Sequence, residues 1–192
     1  MHVSRRLLLR MGGGALASAS LGQKAAFAFA SPAIIGTREL NARTISLNCS
    51  NTGEKLKNVT YWAEGKYAPD ALSEVNHALR DYWSGDVHPI DPKVLDVLHK
   101  IGQTLETDSS FEVICGYRSP KTNAAMRRND PQVATHSMHM TGQAVDFLLP
   151  GRKLSMIHKI ALAQRMGGVG YYPDADFLHV DTGRVRQWTG WG

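Results

Sequence analysis

The sequence predicts an α+β protein with a small antiparallel sheet flanked by helices. Short strand-like runs, some alternating in polarity and some continuously apolar, are mixed with helical apolar stripes. They do not follow the strict strand-helix-strand alternation that a parallel sheet requires. The length of 192 residues, with 43% hydrophobic and 20% charged residues, is enough for one domain with its own core and a short extension.

Residues 1–30 read as an export signal. Arg5 and Arg6 precede a weakly hydrophobic Gly/Ala-rich run, and Ala28 and Ala30 supply small residues for a signal peptidase. The arginine pair resembles the twin-arginine pattern, which implies a periplasmic protein. Residues 31–43 read as a linker and residues 44–192 as the domain. No apolar stretch of about twenty residues follows the signal, so no stable membrane insertion is expected after its removal. The formal charge is +5, but Arg5, Arg6, Arg10 and Lys24 all lie in the signal; without them 18 basic groups face 17 acidic ones. That balance gives no electrostatic case for nucleic acid. A monomer is the default expectation.

Within the domain, residues 44–49 alternate as a half-buried strand, residues 51–54 form a turn, and residues 56–62 return as a hairpin partner. A helix follows Pro69-Asp70, with Leu72, Val75, Leu79 and Tyr82 at helical spacing and Gly85 past its end. Asp91-Pro92 caps the next, which buries Val94, Leu95, Leu98 and Ile101. Residues 111–117 read as a buried strand, and Ser119-Pro120 starts a short helix over 121–128. A strand over 143–149, a helix over 154–166 stopped by Gly167-Gly168, and two last strands over 169–172 and 177–181 complete the reading, before a Trp-containing tail with Trp188 and Trp191. Cys49 and Cys115 each sit in an apolar strand-like run where buried free thiols are common, and sequence does not set the distance between them.

Two clusters carry chemistry. His139 and Asp146 are seven residues apart with Gly142 and Ala144 between them, and His179 and Asp181 lie in the last strand. A hydrolytic zinc site uses three nitrogen and oxygen ligands and keeps a fourth position for water, whose pKa the ion lowers to about 7. Gly142 lets the chain bend, Ala144 leaves room on the face of Asp146, and His179 completes the set if its strand lies beside that of Asp146. Taken singly these residues have ordinary explanations, since a histidine is usually a surface or core residue and this is not the compact arrangement of two histidines on one helix.

The pattern Ser137-x-His139-x-x-Gly142-x-Ala144-x-Asp146, followed by His179-Val180-Asp181, resembles the signature of the zinc D-alanyl-D-alanine carboxypeptidases and related murein endopeptidases, whose fold is shared with the hedgehog signalling domain. Gly116-Tyr117-Arg118-Ser119, Gly167-Gly168-Val169-Gly170-Tyr171-Tyr172-Pro173 and the run from Phe177 to Gly183 resemble the periplasmic MepK-like endopeptidase branch. The resemblance covers most of residues 44–188.

That resemblance implies one Zn²⁺ per chain on His139, Asp146 and His179, and a peptidoglycan hydrolase that cleaves peptide cross-links. Alternatives are a D,D- or L,D-carboxypeptidase acting on stem peptides, or a non-catalytic zinc peptide-binding domain of the hedgehog type. Arg118 corresponds to the arginine that faces substrate and is suited to a carboxylate or a developing oxyanion. Ser137 is expected to position the loop, and His136 is an additional imidazole available to substrate. Asp176, three residues before His179, is the first candidate for general base. Asp181, two beyond it, competes, or else holds a ligand imidazole.

Overall fold

The computed structural model describes residues 42–190. The expected export signal, all of the linker except Ala42 and Arg43, and Trp191 lie outside the described residues. In chain order the elements are β1 (Ala42–Cys49), β2 (Lys55–Ala63), β3 (Lys66–Tyr67), α1 (Pro69–Ala78), α2 (Pro92–Thr104), β4 (Phe111–Cys115), α3 (Pro120–Asn129), a 3-10 turn (Met138–Thr141), β5 (Ala144–Leu148), α4 (Leu154–Gln164), β6 (Gly168–Tyr172), β7 (Phe177–Asp181) and β8 (Arg186–Thr189).

The strands make one sheet in the order β3-β2-β1-β4-β5-β7-β6-β8. The α+β class therefore holds, but the sheet is wider than expected and mixed: β1 pairs with β4, and β6 with β8, in parallel. The first parallel pair follows from topology, because α1 and α2 form the crossover that returns the chain in the same direction. β3 has two residues, too few to carry a period. The tail residue Trp188 belongs to β8.

Most helix boundaries follow local chemistry. Asp91 caps α2 by accepting from the Lys93 amide at 3.0 Å, ahead of Pro92 at the first helical position. Such a cap contributes about 1 kcal/mol. Val94, Leu95, Leu98 and Ile101 are buried, as their spacing predicts, in a core shared with Leu47, Val145, Phe147 and Leu178. Full burial of each side chain contributes roughly 1.5–3 kcal/mol. Asp96 on the same helix accepts from Tyr61 Oη, Tyr67 Oη and Arg43 Nη1 at 2.9, 2.8 and 2.7 Å, which ties β1, β2 and β3 to α2.

Two helix ends differ from the sequence reading. α1 stops at Ala78, a turn early, and Tyr82 is exposed. The Leu79 carbonyl is taken by the Tyr117 amide, and the Asp81 carboxylate accepts from the amides of Trp83 and Ser84, so the chain turns instead of continuing the helix. α4 ends at Gln164 with Arg165 left-handed at φ 52°, before Gly167-Gly168 is reached. Those glycines serve the sheet instead. A side chain on Gly168 would meet the Asp181 carboxylate 2.5 Å away. Cys49 and Cys115 are both free thiols; burial pushes Cys49 up to about 11.

Candidate metal centre

The site is assembled by strand register. Asp146 on β5 lies directly opposite His179 on β7 and opposite Cys115 on β4. His179 in turn lies opposite Gly170 on β6, whose partner on β8 is Trp188. One rung across five strands therefore places Cys115, Asp146, His179 and Trp188 side by side. The Trp188 ring stands 5.2 Å from that of His179, and its Nε1 donates to Tyr172 Oη at 2.9 Å.

His139 joins this rung from the 3-10 turn. Ser137 caps the turn, its Oγ accepting from the His139 amide at 3.3 Å. Gly142 closes it at φ 66°, and a Cβ there would lie 2.1 Å from the Pro89 carbonyl, so only glycine fits both the backbone and the space. This bend is the one expected to bring His139 round to Asp146.

Both imidazoles have their tautomers set from behind. His139 Nδ1 donates to the Gly116 carbonyl at 2.7 Å, which leaves Nε2 with a lone pair. His179 Nε2 bonds to Asp181 Oδ2 at 3.1 Å, which leaves Nδ1 facing Asp146. A carbonyl and a carboxylate behind the rings are the partners that metal-binding histidines use. The two front nitrogens are 3.2 Å apart. Asp146 Oδ2 is 3.1 Å from His139 Nε2, and Asp146 Oδ1 is 2.8 Å from His179 Nδ1. Donors at roughly 2.0–2.1 Å from one tetrahedral ion lie about 3.3 Å from each other, so this set fits a zinc-sized cation.

The electrostatics agree with a cation site. Burial alone would raise the Asp146 pKa, but the facing imidazoles hold its carboxyl far below the usual carboxylate range. Burial would lower His139, and Asp146 outweighs it to raise that imidazole well above its ordinary value. The pair thus carries complementary charge, and a cation bound there would take the place of the shared proton. Among the described residues, Cys115, His139 and Asp146 also form a cluster whose ligand atoms all lie within 4.8 Å of one another. Cys115 did not stand out in the sequence; only the β4–β5 register brings it here.

Arg118 leans into the same space. Its Nη2 lies 3.9 Å from Asp146 Oδ2 and 3.5 Å from Cys115 Sγ, Nη1 bonds to Asn123 Oδ1 at 3.3 Å, and Nε is buried with no partner. The backbone is fixed on both sides: the Arg118 amide donates to the His139 carbonyl, and the Ser119 amide donates to Asp81 Oδ2 at 2.8 Å. Asp81 is therefore a supporting residue that sequence reading missed. Despite burial, hydrogen bonds from Thr122 and Ser119 hold it at about 2.

The two candidate bases separate. Asp181 accepts from the amides of Gly168 and Gly183, from both Nη atoms of Arg186 and from His179, and its side chain is fully buried. Burial opposes its charge, but these donors, His179 and Arg186 foremost, hold it well below the usual range. Both of its oxygens are engaged in these bonds, behind the His179 ring. Asp176 is exposed in the β6–β7 turn at φ 53°, and no hydrogen bond ties it to the cluster. His136 is also exposed and lines a cleft with Asn123, Arg127, Arg128 and Met140.

Comparison with known proteins finds relatives over most of the chain. The model of the Peptidase_M15_2 family, described as peptidoglycan L,D-endopeptidase MepK, matches residues 37–188. The chain is 40% identical over 185 residues to peptidoglycan L,D-endopeptidase MepK of Escherichia coli, covering 96% of this chain and 97% of that protein. It is 40% identical over 149 residues to the probable peptidoglycan L,D-endopeptidase MepK of Haemophilus influenzae, covering 77% and 80%. A solved structure, the Serratia marcescens L-Ala D-Glu endopeptidase ChiX, overlaps 50% of this chain and 68% of its own at 20% identity with a TM-score of 0.33, too slight a likeness to carry an argument. With its matched length and its cluster of buried histidines and aspartate, the chain belongs to the Peptidase_M15_2 family of MepK-type peptidoglycan L,D-endopeptidases.

Proposed function

We propose that this protein is a zinc-dependent endopeptidase that hydrolyses peptide bonds joining L and D centres in peptidoglycan cross-links. The observation that carries the proposal is the convergence of His139 Nε2, His179 Nδ1 and the Asp146 carboxylate, within 3.2 Å for each measured pair. When bound, the ion supplies Lewis-acid polarisation of the scissile carbonyl and a more acidic water.

The chain's own residues do the rest. Gly116 and Asp181 keep the two imidazoles in the tautomers that present a lone pair. Arg118, with an unpartnered buried Nε, offers donors to a substrate carboxylate or to the oxygen that gains charge in the transition state. Ser137 positions the His139 turn, and His136 contributes to a cleft lined with Arg127 and Arg128, a fit for a carboxylate-rich peptide. With Asp181 engaged behind His179, Asp176 is the acid assigned to take the proton from the attacking water.

No helix among the described residues is long and apolar enough to cross a membrane. The proposed site of action is the periplasm, reached by the twin-arginine route and as a monomer. Replacing both arginines, Arg5→Lys with Arg6→Lys, is expected to abolish export; undiminished export contradicts that route. The catalytic proposal is tested by digesting purified sacculi with the mature protein, with and without chelator, and separating the muropeptides. Loss of cross-linked dimers that depends on the metal supports it. An unchanged profile at full zinc occupancy contradicts it, and release of a free terminal amino acid alone points to a carboxypeptidase.

A further inference from the structure

We propose that the exposed aromatic pair Tyr82 and Trp83, on a loop at the rim of the metal centre, is a docking platform for the glycan strand of peptidoglycan. The protein then holds the polymer by its sugars while the site acts on its peptides. This deepens the hydrolase reading above and rests on it for the identity of the polymer.

Folding does not account for these side chains. Trp83 is 66% exposed, Val87 54% and Tyr82 50%, and every residue from 82 to 87 is exposed. Two large rings left in water forgo the burial that stabilises a fold. The loop is nevertheless built to hold them. The Asp81 amide donates to the Asp86 carbonyl at 3.0 Å and the Gly85 amide to the Asp81 carbonyl at 2.7 Å, which closes the loop at its neck. The Asp81 carboxylate accepts from the amides of Trp83 and Ser84 at 2.9 and 3.3 Å, and the two rings meet edge to face with centroids 5.5 Å apart. Rings fixed in advance lose little freedom when a ligand binds.

The same loop borders the site. Asp81 Oδ2 accepts from the amide of Ser119, the residue after Arg118. His88 stacks on Tyr117, the residue before Arg118, at 4.6 Å, and a Cβ on Gly142 would lie 3.1 Å from the His88 ring. The loop is thus anchored both to the segment that carries Arg118 and to the turn that carries His139. A sugar chain attached to a peptide held at Arg118 has this loop as its neighbour.

The chemistry of the surface selects a saccharide. A sugar ring offers a face of C–H bonds and a rim of hydroxyls. Tyr82 and Trp83 supply flat apolar faces, and the exposed Ser84 Oγ and Asp86 Oδ2, 2.8 Å apart, supply a donor and acceptors for hydroxyls. An anionic lipid surface fits badly, because the charged residues between 81 and 87 are both acidic. A protein partner calls for a continuous apolar patch, and Ser84, Gly85 and Asp86 interrupt this one.

Binding is tested first, by titration calorimetry of the mature protein with glycan strands from which the stem peptides have been removed. Trp83→Ala and Tyr82→Ala are each expected to weaken binding by about tenfold or more, the usual effect of removing an aromatic anchor. Trp83→Phe, which keeps a flat face, is expected to recover most of it. The bonds that close the loop run through the Trp83 amide, so the alanine variant retains them. Hydrolysis is the second readout: the ratio of kcat/KM on a cross-linked muropeptide carrying its sugars to kcat/KM on the same peptide without sugars is expected to fall in Trp83→Ala, chiefly through KM. Native protein that does not bind the strands, or alanine variants that bind them as well as the native protein, overturn the proposal. Binding to anionic phospholipid vesicles that is lost in Trp83→Ala assigns the pair to a membrane and overturns it too. Native protein that binds the strands but cleaves neither cross-linked substrate overturns the hydrolase reading alone.

Discussion

Asp146 and His179 face each other across an antiparallel pairing of β5 and β7, with Oδ1 and Nδ1 2.8 Å apart. This pairing turns two residues 33 positions apart in sequence into adjacent donors. A one-residue slip of either strand would point one of them to the opposite face of the sheet. The register is held by buried neighbours, Val145 opposite Val180 and Phe147 opposite Leu178, so the core fixes the geometry of the site.

The carboxylate behind His179 is expected to act through the metal. Asp181→Asn keeps the size of the side chain but weakens its hold on the imidazole, and loss of such a partner typically costs 10–100-fold in metal affinity. Competition with a chromophoric chelator measures this. Unchanged affinity contradicts the role assigned to Asp181.

Arg118 is expected to act on substrate with no effect on metal content. Arg118→Ala should lower kcat/KM by about 10²–10³-fold, the usual loss of a donor to developing negative charge. Arg118→Lys should recover only part, because an ammonium cannot reproduce the planar fork. Steady-state rates on a defined cross-linked muropeptide, with metal analysis of each variant, separate the two effects.

Asp176 is assigned the proton transfer, and its exposure means that substitution should not disturb the fold. Asp176→Asn is expected to lower kcat by about 10²–10⁴-fold with the metal content unchanged. A variant with near-native kcat shows that another group takes the proton.

Asp81 links site and stability. Its folded pKa of about 2 lies below the ordinary value of 3.8, so the charged form is favoured by folding. The stabilisation is fully present above pH 3.8 and declines as pH falls through about 2. A shift of this size corresponds to about 2 kcal/mol. Asp81→Asn should therefore lose about 2 kcal/mol at pH 7 in urea unfolding, and the difference from the native protein should shrink on acidification. A constant difference from pH 7 to pH 2 contradicts this.

Much of this architecture was legible because local rules and tertiary structure agree. The Asp91-Pro92 cap, the apolar stripe of α2, the Ser119-Pro120 start of α3 and the bend at Gly142 all follow from neighbouring residues alone. His139, Asp146 and His179 were legible from their residue types and spacing together with the family resemblance. What sequence could not give depends on which strands become neighbours. Cys115 becomes adjacent to Asp146 only through the β4–β5 register, and Asp81 reaches the Ser119 amide only because α1 ends early. Gly167-Gly168 reads as a helix stop but is required where β6 passes against the Asp181 carboxylate. Asp176 and Asp181 flank His179 almost symmetrically in sequence, and only burial and hydrogen bonding distinguish them.

The most direct test of the account is a crystal structure of the zinc-loaded protein with the ion located by its anomalous scattering. The account predicts a single strong peak about 2.0–2.2 Å from His139 Nε2, His179 Nδ1 and an Asp146 oxygen. A peak bound elsewhere, or no ion at this rung at one zinc per chain, contradicts it.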